Sequence, residues 1–390
     1  MFSAMLKIVC TEDLPCAREA FSTLGDVLIR RDSDLTPADL ADADLFAMRS
    51  GTRVDATLLA GSRVRFVGTA TIGFDHFDTS WLDQAGIRWV TAPGCNANSV
   101  SEWLVAALLT LGRRDGFRLA GRTLGIVGHG NVGARVEARA RALGMRVLLN
   151  DPPRARTTGN PSYLPLEQVL AGSDIVTLHV PLEKGGLDPT HHLADARFFA
   201  RLKPGAIFVN AARGSIVDTP SLLEAMERGA VSRAVLDTWE GEPTYREDLL
   251  RRTDLGTAHI AGHSYEGKVM GTAKVYLEAC RFLGVKPTWG PEAHLAAELP
   301  GHPSRLLRIG PSTDPERVVD EAVRAAYAIE ADDNALRATL STDEKARARG
   351  FRAFRKAYPI RREFAWFEME GAELATESQK MLRDLGFRIP

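Results

Sequence analysis

The chain has 390 residues, of which 45% are hydrophobic and 25% charged, and a formal net charge of −1. That length suits two to three domains of roughly 150 residues each, and the neutral balance gives no global pull toward nucleic acid or an anionic membrane. No apolar run reaches the ~20 residues of a membrane span, the apolar part of the start MFSAMLKIVC is too short for a signal peptide, and four scattered cysteines without a CxxC pair read as reduced cytoplasmic thiols.

In chain order, KIVC (7–10), DVLIR (26–30), DLFAMR (44–49), RVRFVGTA (63–70) and IRWVTA (87–92) read as strands, with helical patterns at 15–25 and 80–86 between them. Strands that alternate with helices imply a parallel sheet. VSEWLVAALLTLGRRDG (100–116) is apolar nearly all round, so it is expected to be a buried helix. A second α/β unit follows. Its predicted strands are TLGIVG (123–128), MRVLLN (145–150), DIVTLHVP (174–181), AIFVN (206–210), RAVLD (233–237) and LGTAHI (255–260). Helices are expected over 131–144, 196–203, 221–230 and 266–283. Pro and Gly then punctuate 285–315, and basic helical stretches follow at 316–330 and 344–364.

Ligands of open parallel sheets bind at the carboxyl ends of the strands. Gly128, Gly130, Asn131, Val132 and Gly133 lie in GHGNVG, which follows one strand and opens a helix. Such glycines let the backbone approach a pyrophosphate at the helix N-terminus. Asp151 stands 23 positions after Gly128, at the end of the next strand. A carboxylate there can bind a ribose 2′-hydroxyl and repels a 2′-phosphate, which favours NAD over NADP. Three further strand ends carry Arg213 after Ala211 and Ala212, Glu242, and His259. A guanidinium can grip a carboxylate with two parallel bonds. An imidazole oriented by a carboxylate suits a hydroxyl-proton acceptor. Taken singly, Arg213 also fits a helix-start residue in a surface salt bridge, and His259 also fits a structural role. Asp237 either contacts the nicotinamide side of the cofactor or ends its strand. His191-His192 lacks the partners of a metal site, and Cys95 lacks a visible base; no metal is expected.

The chain resembles the D-isomer-specific 2-hydroxyacid dehydrogenases. The resemblance rests on the GxGxxG at 128–133, Asn-Ala-Ala-Arg-Gly at 210–214, Leu-Asp-Thr-Trp-Glu-Gly-Glu-Pro at 236–243, and His259 followed by Ile-Ala-Gly. Gly68-Thr-Ala-Thr71, Pro93-Gly-Cys-Asn96, Asp151-Pro-Pro-Arg154, residues 259–268 and Tyr358 with Arg361-Arg-Glu363 resemble a narrower branch of that family, which acts on a phosphorylated four-carbon hydroxy acid. The resemblance implies two doubly wound, Rossmann-like parallel-sheet domains and a C-terminal α+β dimerisation domain. The expected division is 1–98 with 265–290 for substrate, 99–264 for NAD, and 291–390 for a homodimer interface. It also implies Arg213, Glu242 and His259 as catalytic residues. Asp151, Asp237 and Gly262 fall where the family binds NAD, and Ser50, Thr71 and His263 where it binds substrate. His263 replaces a usual Tyr, and Val180 replaces a usual Thr near the cofactor. A phosphoglycerate- or glyoxylate-type enzyme, or a non-catalytic NAD(H)-sensing scaffold, would share the trio.

Overall fold

The computed structural model describes residues 5–298, 300–310, 312–370 and 374–389. The first four residues of the start considered above lie outside that set. The chain divides into two compact units, Met1–Asn96 with His263–His302, and Ala97–Gly262 with Pro303–Pro390.

The first unit holds strands β1 (Leu6–Thr11), β2 (Gly25–Arg30), β3 (Leu45–Met48), β4 (Phe66–Thr69) and β5 (Arg88–Val90). They form one parallel sheet in the order β2-β1-β3-β4-β5. Alternate residues of β3 feed two cores: Phe46 and Met48 pack with Val9 and Val67, whereas Leu45 and Ala47 pack with Ile8 and Phe66. A sheet buried on both faces needs continuous apolar strands, which is why the central strands β3 and β4 are buried along their whole length. The helix Tyr265–Leu283 returns to this sheet and seals the second core with Val275, Tyr276 and Ala279. Ser264 caps it by accepting the Gly267 N–H at 2.9 Å, an interaction that stabilises a helix by ~0.5–2 kcal/mol.

The second unit contains β6 (Thr123–Val127), β7 (Arg146–Asn150), β8 (Ile175–Leu178), β9 (Ala206–Asn210), β10 (Val231–Leu236) and β11 (Leu255–Gly256). All are parallel, in the order β11-β10-β9-β8-β6-β7. Every carboxyl end therefore lies along one edge, and the direction of winding reverses at β6, where β7 lies on one side and β8 on the other. The long helix Ala97–Asp115 is buried at every residue from Val100 to Gly112.

The C-terminal part covers that helix. Helices Pro315–Ala326, Ile329–Arg337, Glu344–Lys356 and Thr376–Leu385 accompany a short parallel pair, Leu306–Leu307 with Glu368–Met369. Val318, Val319, Ala322, Leu382 and Leu385 share one core with Leu104, Leu108 and Ile126. The stretch 316–330 is two helices rather than one, because Tyr327 turns to an extended backbone (φ −149°, ψ 101°). The basic stretch from 344 leaves the helix after Lys356. β11 is also shorter than the run LGTAHI predicts; residues 257–260 leave the sheet for a reason that belongs to the site.

Candidate active site

The nucleotide-binding pattern is built at the switch point. β6 runs into Gly128, and the helix Asn131–Ala142 starts after Gly130 as its N-cap. A Cβ on Gly133 would stand 2.2 Å from the Gly128 carbonyl oxygen, so only glycine allows the helix to begin this close to the turn. Around Gly130 the space is open. Asp151 follows β7, and its carboxylate accepts the His129 N–H at 2.8 Å and the Arg154 N–H at 3.0 Å. The acid is thus tied to the turn it would act with. The His129 ring, which sequence reasoning passed over, lies between the Tyr163 hydroxyl (3.0 Å) and the Glu137 carboxylate (2.8 Å) and fixes the turn from the helix side. An open turn at a helix N-terminus beside a fixed carboxylate fits the pyrophosphate and ribose of NAD.

Arg213 follows β9. Asn210 closes the intervening loop: its side-chain oxygen accepts the Ala212 N–H and its amide donates to the Arg213 carbonyl, both at 3.0 Å. A Cβ on Gly214 would lie 2.0 Å from the Trp239 carbonyl carbon, so this glycine allows the Arg213 loop to touch the backbone after β10. Arg213 Nη1 donates to the Ala212 carbonyl at 2.8 Å, and the residue is half-buried.

Glu242 lies in the tight turn after β10. One carboxylate oxygen accepts the Trp239 N–H at 3.0 Å, and the other is hydrogen-bonded to His259 Nδ1. A carboxylate can only accept, so the proton between them belongs on Nδ1, and Nε2 is left as the nitrogen able to receive another. Burial pushes the Glu242 carboxyl up, but the His259 charge and hydrogen bond, the Trp239 N–H and the Arg355 charge outweigh it. The net shift is below the usual carboxylate range.

His259 departs from the expected strand. Its φ is 54°, the left-handed region, which costs a non-glycine residue roughly 1–2 kcal/mol. The cause is Asp237. Its buried carboxylate accepts the Thr257 hydroxyl (2.6 Å), the Ile260 N–H (2.7 Å) and the Ala261 N–H (3.0 Å), while its carbonyl accepts the His259 N–H (2.6 Å). The Ile260 and Ala261 N–H groups thus turn to the acid in place of a strand partner, while the Thr257 N–H still donates to the Leu236 carbonyl at 2.9 Å. The indoles of Trp103 and Trp239 complete the clamp by donating to the Thr257 hydroxyl (3.1 Å) and carbonyl (2.8 Å). Asp237 therefore does more than end a strand. The clamp of Thr257, Trp103 and Trp239 was missed from sequence; the one local signal was an acid directly after a buried apolar run.

Gly262 ends the first of the two segments of the second unit. Ser50, Thr71 and His263 belong to the first unit. Ser50 is exposed, Thr71 shares hydrogen bonds with the Thr69 hydroxyl (2.8 Å) and the Gly73 carbonyl (2.9 Å), and His263 directly precedes the cap Ser264. Burial pushes the Cys95 thiol up to about 11 against the Arg49 and Lys274 charges, which makes it a poor nucleophile. His192 pairs with Glu240 at 2.5 Å. Among the described residues, no group of three or more His, Cys, Asp or Glu could hold a metal ion, and no helix is long and apolar enough to cross a membrane.

Residues 98–261 match the family model described as D-isomer specific 2-hydroxyacid dehydrogenase, NAD binding domain, and residues 299–386 match a Domain of unknown function (DUF3410). The chain is 44% identical over 382 residues to erythronate-4-phosphate dehydrogenase of Edwardsiella ictaluri (strain 93-146), covering 98% of this chain and 99% of the relative. It is 43% identical to the enzyme of the same name from Salinibacter ruber, with 97% of each chain covered. Among solved structures, D-lactate dehydrogenase from Aquifex aeolicus, complexed with NAD and lactic acid, aligns with a TM-score of 0.57 at 25% identity, over 71% of this chain and 95% of that one. The TT0316 protein from Thermus thermophilus aligns with a TM-score of 0.60 at 28% identity, over 73% and 99%.

Proposed function

The chain belongs to the erythronate-4-phosphate dehydrogenases, within the D-isomer-specific 2-hydroxyacid dehydrogenases, and on that premise we propose that it oxidises 4-phospho-D-erythronate to 2-oxo-3-hydroxy-4-phosphobutanoate with NAD, in the biosynthesis of pyridoxal 5′-phosphate. The observation that carries the reading is the Glu242–His259 pair on the carboxyl edge of a sheet whose switch point fits NAD. NAD supplies the acceptor for the hydride that leaves C2. The turn Gly128–Gly133 and Asp151 would hold its pyrophosphate and ribose, Ala211, Ala212 and Gly262 would add further cofactor contacts, and Asp237 would lie on the nicotinamide side.

The remaining steps belong to the protein. Arg213 binds the substrate carboxylate and so fixes which face of C2 is presented. His259 Nε2 removes the C2 hydroxyl proton while the C2–H bond breaks, and the oxygen lone pair so freed forms the carbonyl. The imidazole becomes a cation at that moment, and the Glu242 carboxylate on Nδ1 stabilises it. By the family resemblance, Ser50, Thr71 and His263 are further substrate-binding residues. The same reading places the enzyme in the cytoplasm as a homodimer that associates through 291–390.

The test is NADH formation from 4-phospho-D-erythronate, with 3-phosphoglycerate and D-lactate as controls. Protein that binds NADH yet leaves the first substrate untouched contradicts the substrate. Full activity of His259→Ala contradicts the mechanism.

A further inference from the structure

We propose that Arg361, in the C-terminal region, is a positioning residue for His259, acting through the carbonyl of Ala261. The proposal rests on the reading of His259 as the proton acceptor. Arg361 is 6% exposed, and its Nη2 donates to the Ala261 carbonyl at 2.5 Å and the Ser99 carbonyl at 3.2 Å. Its guanidinium lies 4.5 Å from the centre of the Tyr327 ring. The Tyr327 and Tyr358 hydroxyls both donate to Asp332, at 2.7 and 2.8 Å, so the platform beneath the guanidinium is itself fixed.

The geometry divides the work of holding the loop. Asp237 takes the N–H groups of Ile260 and Ala261 from the sheet side. It has no means of holding a carbonyl, because a carboxylate only accepts. Arg361 has only donors and takes the carbonyl of Ala261. The peptides that follow His259 are therefore gripped from both sides, by groups of opposite sign. His259 occupies a left-handed backbone conformation next to them (φ 54°), and such a conformation persists only where its surroundings over-determine it. Releasing the carbonyl lets the loop rotate toward ordinary backbone angles and swings the imidazole off Glu242. A buried guanidinium whose only purpose was packing would be served as well by an apolar side chain, since burying a charge is costly.

The test uses the full chain carrying Arg361→Met or Arg361→Lys. The readouts are NADH formation from 4-phospho-D-erythronate, NADH affinity by fluorescence, and amide hydrogen exchange over 255–263. In R361M, kcat should fall about 10- to 100-fold while the KM for both substrates and the NADH affinity stay within about threefold. Exchange should rise at Ile260 and Ala261 and stay unchanged in β6 and β9. R361K keeps the charge and donor hydrogens but not the planar guanidinium that stacks on Tyr327, so its kcat should lie between the two. A kcat for R361M within twofold of wild type overturns the proposal, as does exchange that rises equally across β6 and β9. Should R361M fail to fold, R361K decides: reduced kcat with exchange raised only in the loop supports the proposal, and wild-type values of both overturn it. Inactive wild-type protein would count against the proposed function, whereas the exchange data would still judge the tether alone.

Discussion

Glu242→Gln removes one charge and little volume, and its effect can be worked from the geometry. In the ground state a neutral amide can still accept from His259 Nδ1. The difference appears when the imidazole becomes a cation. Charges about 4 Å apart interact by ~1 kcal/mol in water and ~4 kcal/mol at an effective dielectric constant near 20. The side chains of Glu242 and His259 are 23% and 29% exposed, which places them between those limits, and a bound substrate that excludes water moves them toward the second. The amide nitrogen also opposes the Trp239 N–H that now donates to the carboxylate at 3.0 Å, leaving one buried donor without its acceptor, a cost of about 1–3 kcal/mol. The lost charge predicts a kcat lowered by roughly 10- to 10³-fold, while the orphaned donor, common to ground and transition states, lowers stability; the KM for NAD should stay within about threefold because the nucleotide turn is untouched. Steady-state NADH formation over a range of both substrates separates the two constants. A kcat within threefold of wild type would refute the idea that Glu242 stabilises the imidazolium.

Gly133→Ala places a Cβ 2.2 Å from the Gly128 carbonyl oxygen; at an overpacking cost of about 1–3 kcal/mol, NADH should bind about 10- to 100-fold more weakly, and an unchanged fluorescence titration contradicts the fit. Asp151→Ala removes the carboxylate and leaves Arg154, whose Nε is 4.0 Å from it, open to a 2′-phosphate. The ratio of kcat/KM for NADP over NAD should rise at least about tenfold, and a constant ratio would refute the role of the acid. Glu102→Gln tests a buried acid of the long helix Ala97–Asp115. Burial and the nearby Glu363 push Glu102 well above the usual carboxylate range, against Arg139, Arg361 and the Phe364 N–H. A carboxyl raised on folding contributes stability in full below its unfolded pKa of about 4.3 and loses it as pH rises through the folded value. The Tm of wild type should therefore fall relative to that of E102Q between pH 5 and pH 8, and a constant difference across that range would show that Glu102 is ionised in the fold.

Much of the scaffold was legible because parallel strands buried on both faces are local apolar runs. Each of the expected strands from KIVC to RAVLD has a counterpart within a few residues. The residues proposed to carry the chemistry were legible for the same reason: Gly128, Asp151, Arg213 and Glu242 each follow such a run closely, and the parallel order puts all the strand ends on one edge. His259 marks where local reading fails. The run LGTAHI looks like a strand, but Thr257, Ile260 and Ala261 are claimed by Asp237 some twenty positions earlier, and no periodicity carries that information.

The arginines of the C-terminal stretch fail the same test from the opposite side. An arginine-rich helical segment reads as a solvated or dimer face, yet Arg347, Arg361 and Arg362 are buried within the chain. Arg347 donates to the Tyr245 carbonyl at 3.1 Å, and Arg361 to the Ala261 carbonyl at 2.5 Å. A guanidinium is buried only where acceptors meet it, and here they include the Tyr245 and Ala261 carbonyls, about a hundred positions away in the loops after β10 and β11, besides the nearby Ser341 carbonyl for Arg347 and the Ser99 carbonyl for Arg361. The groups that hold a strand-end site still are thus the ones least visible in sequence, since each is defined by a partner far along the chain. It follows that substitutions in the C-terminal region should fall into two classes. Those at exposed basic residues such as Arg349 and Arg352 should leave kcat alone. Those at the carbonyl-binding arginines should lower it without weakening NADH binding, and a scan in which the two classes behave alike would show that this region bears on stability but not on the site.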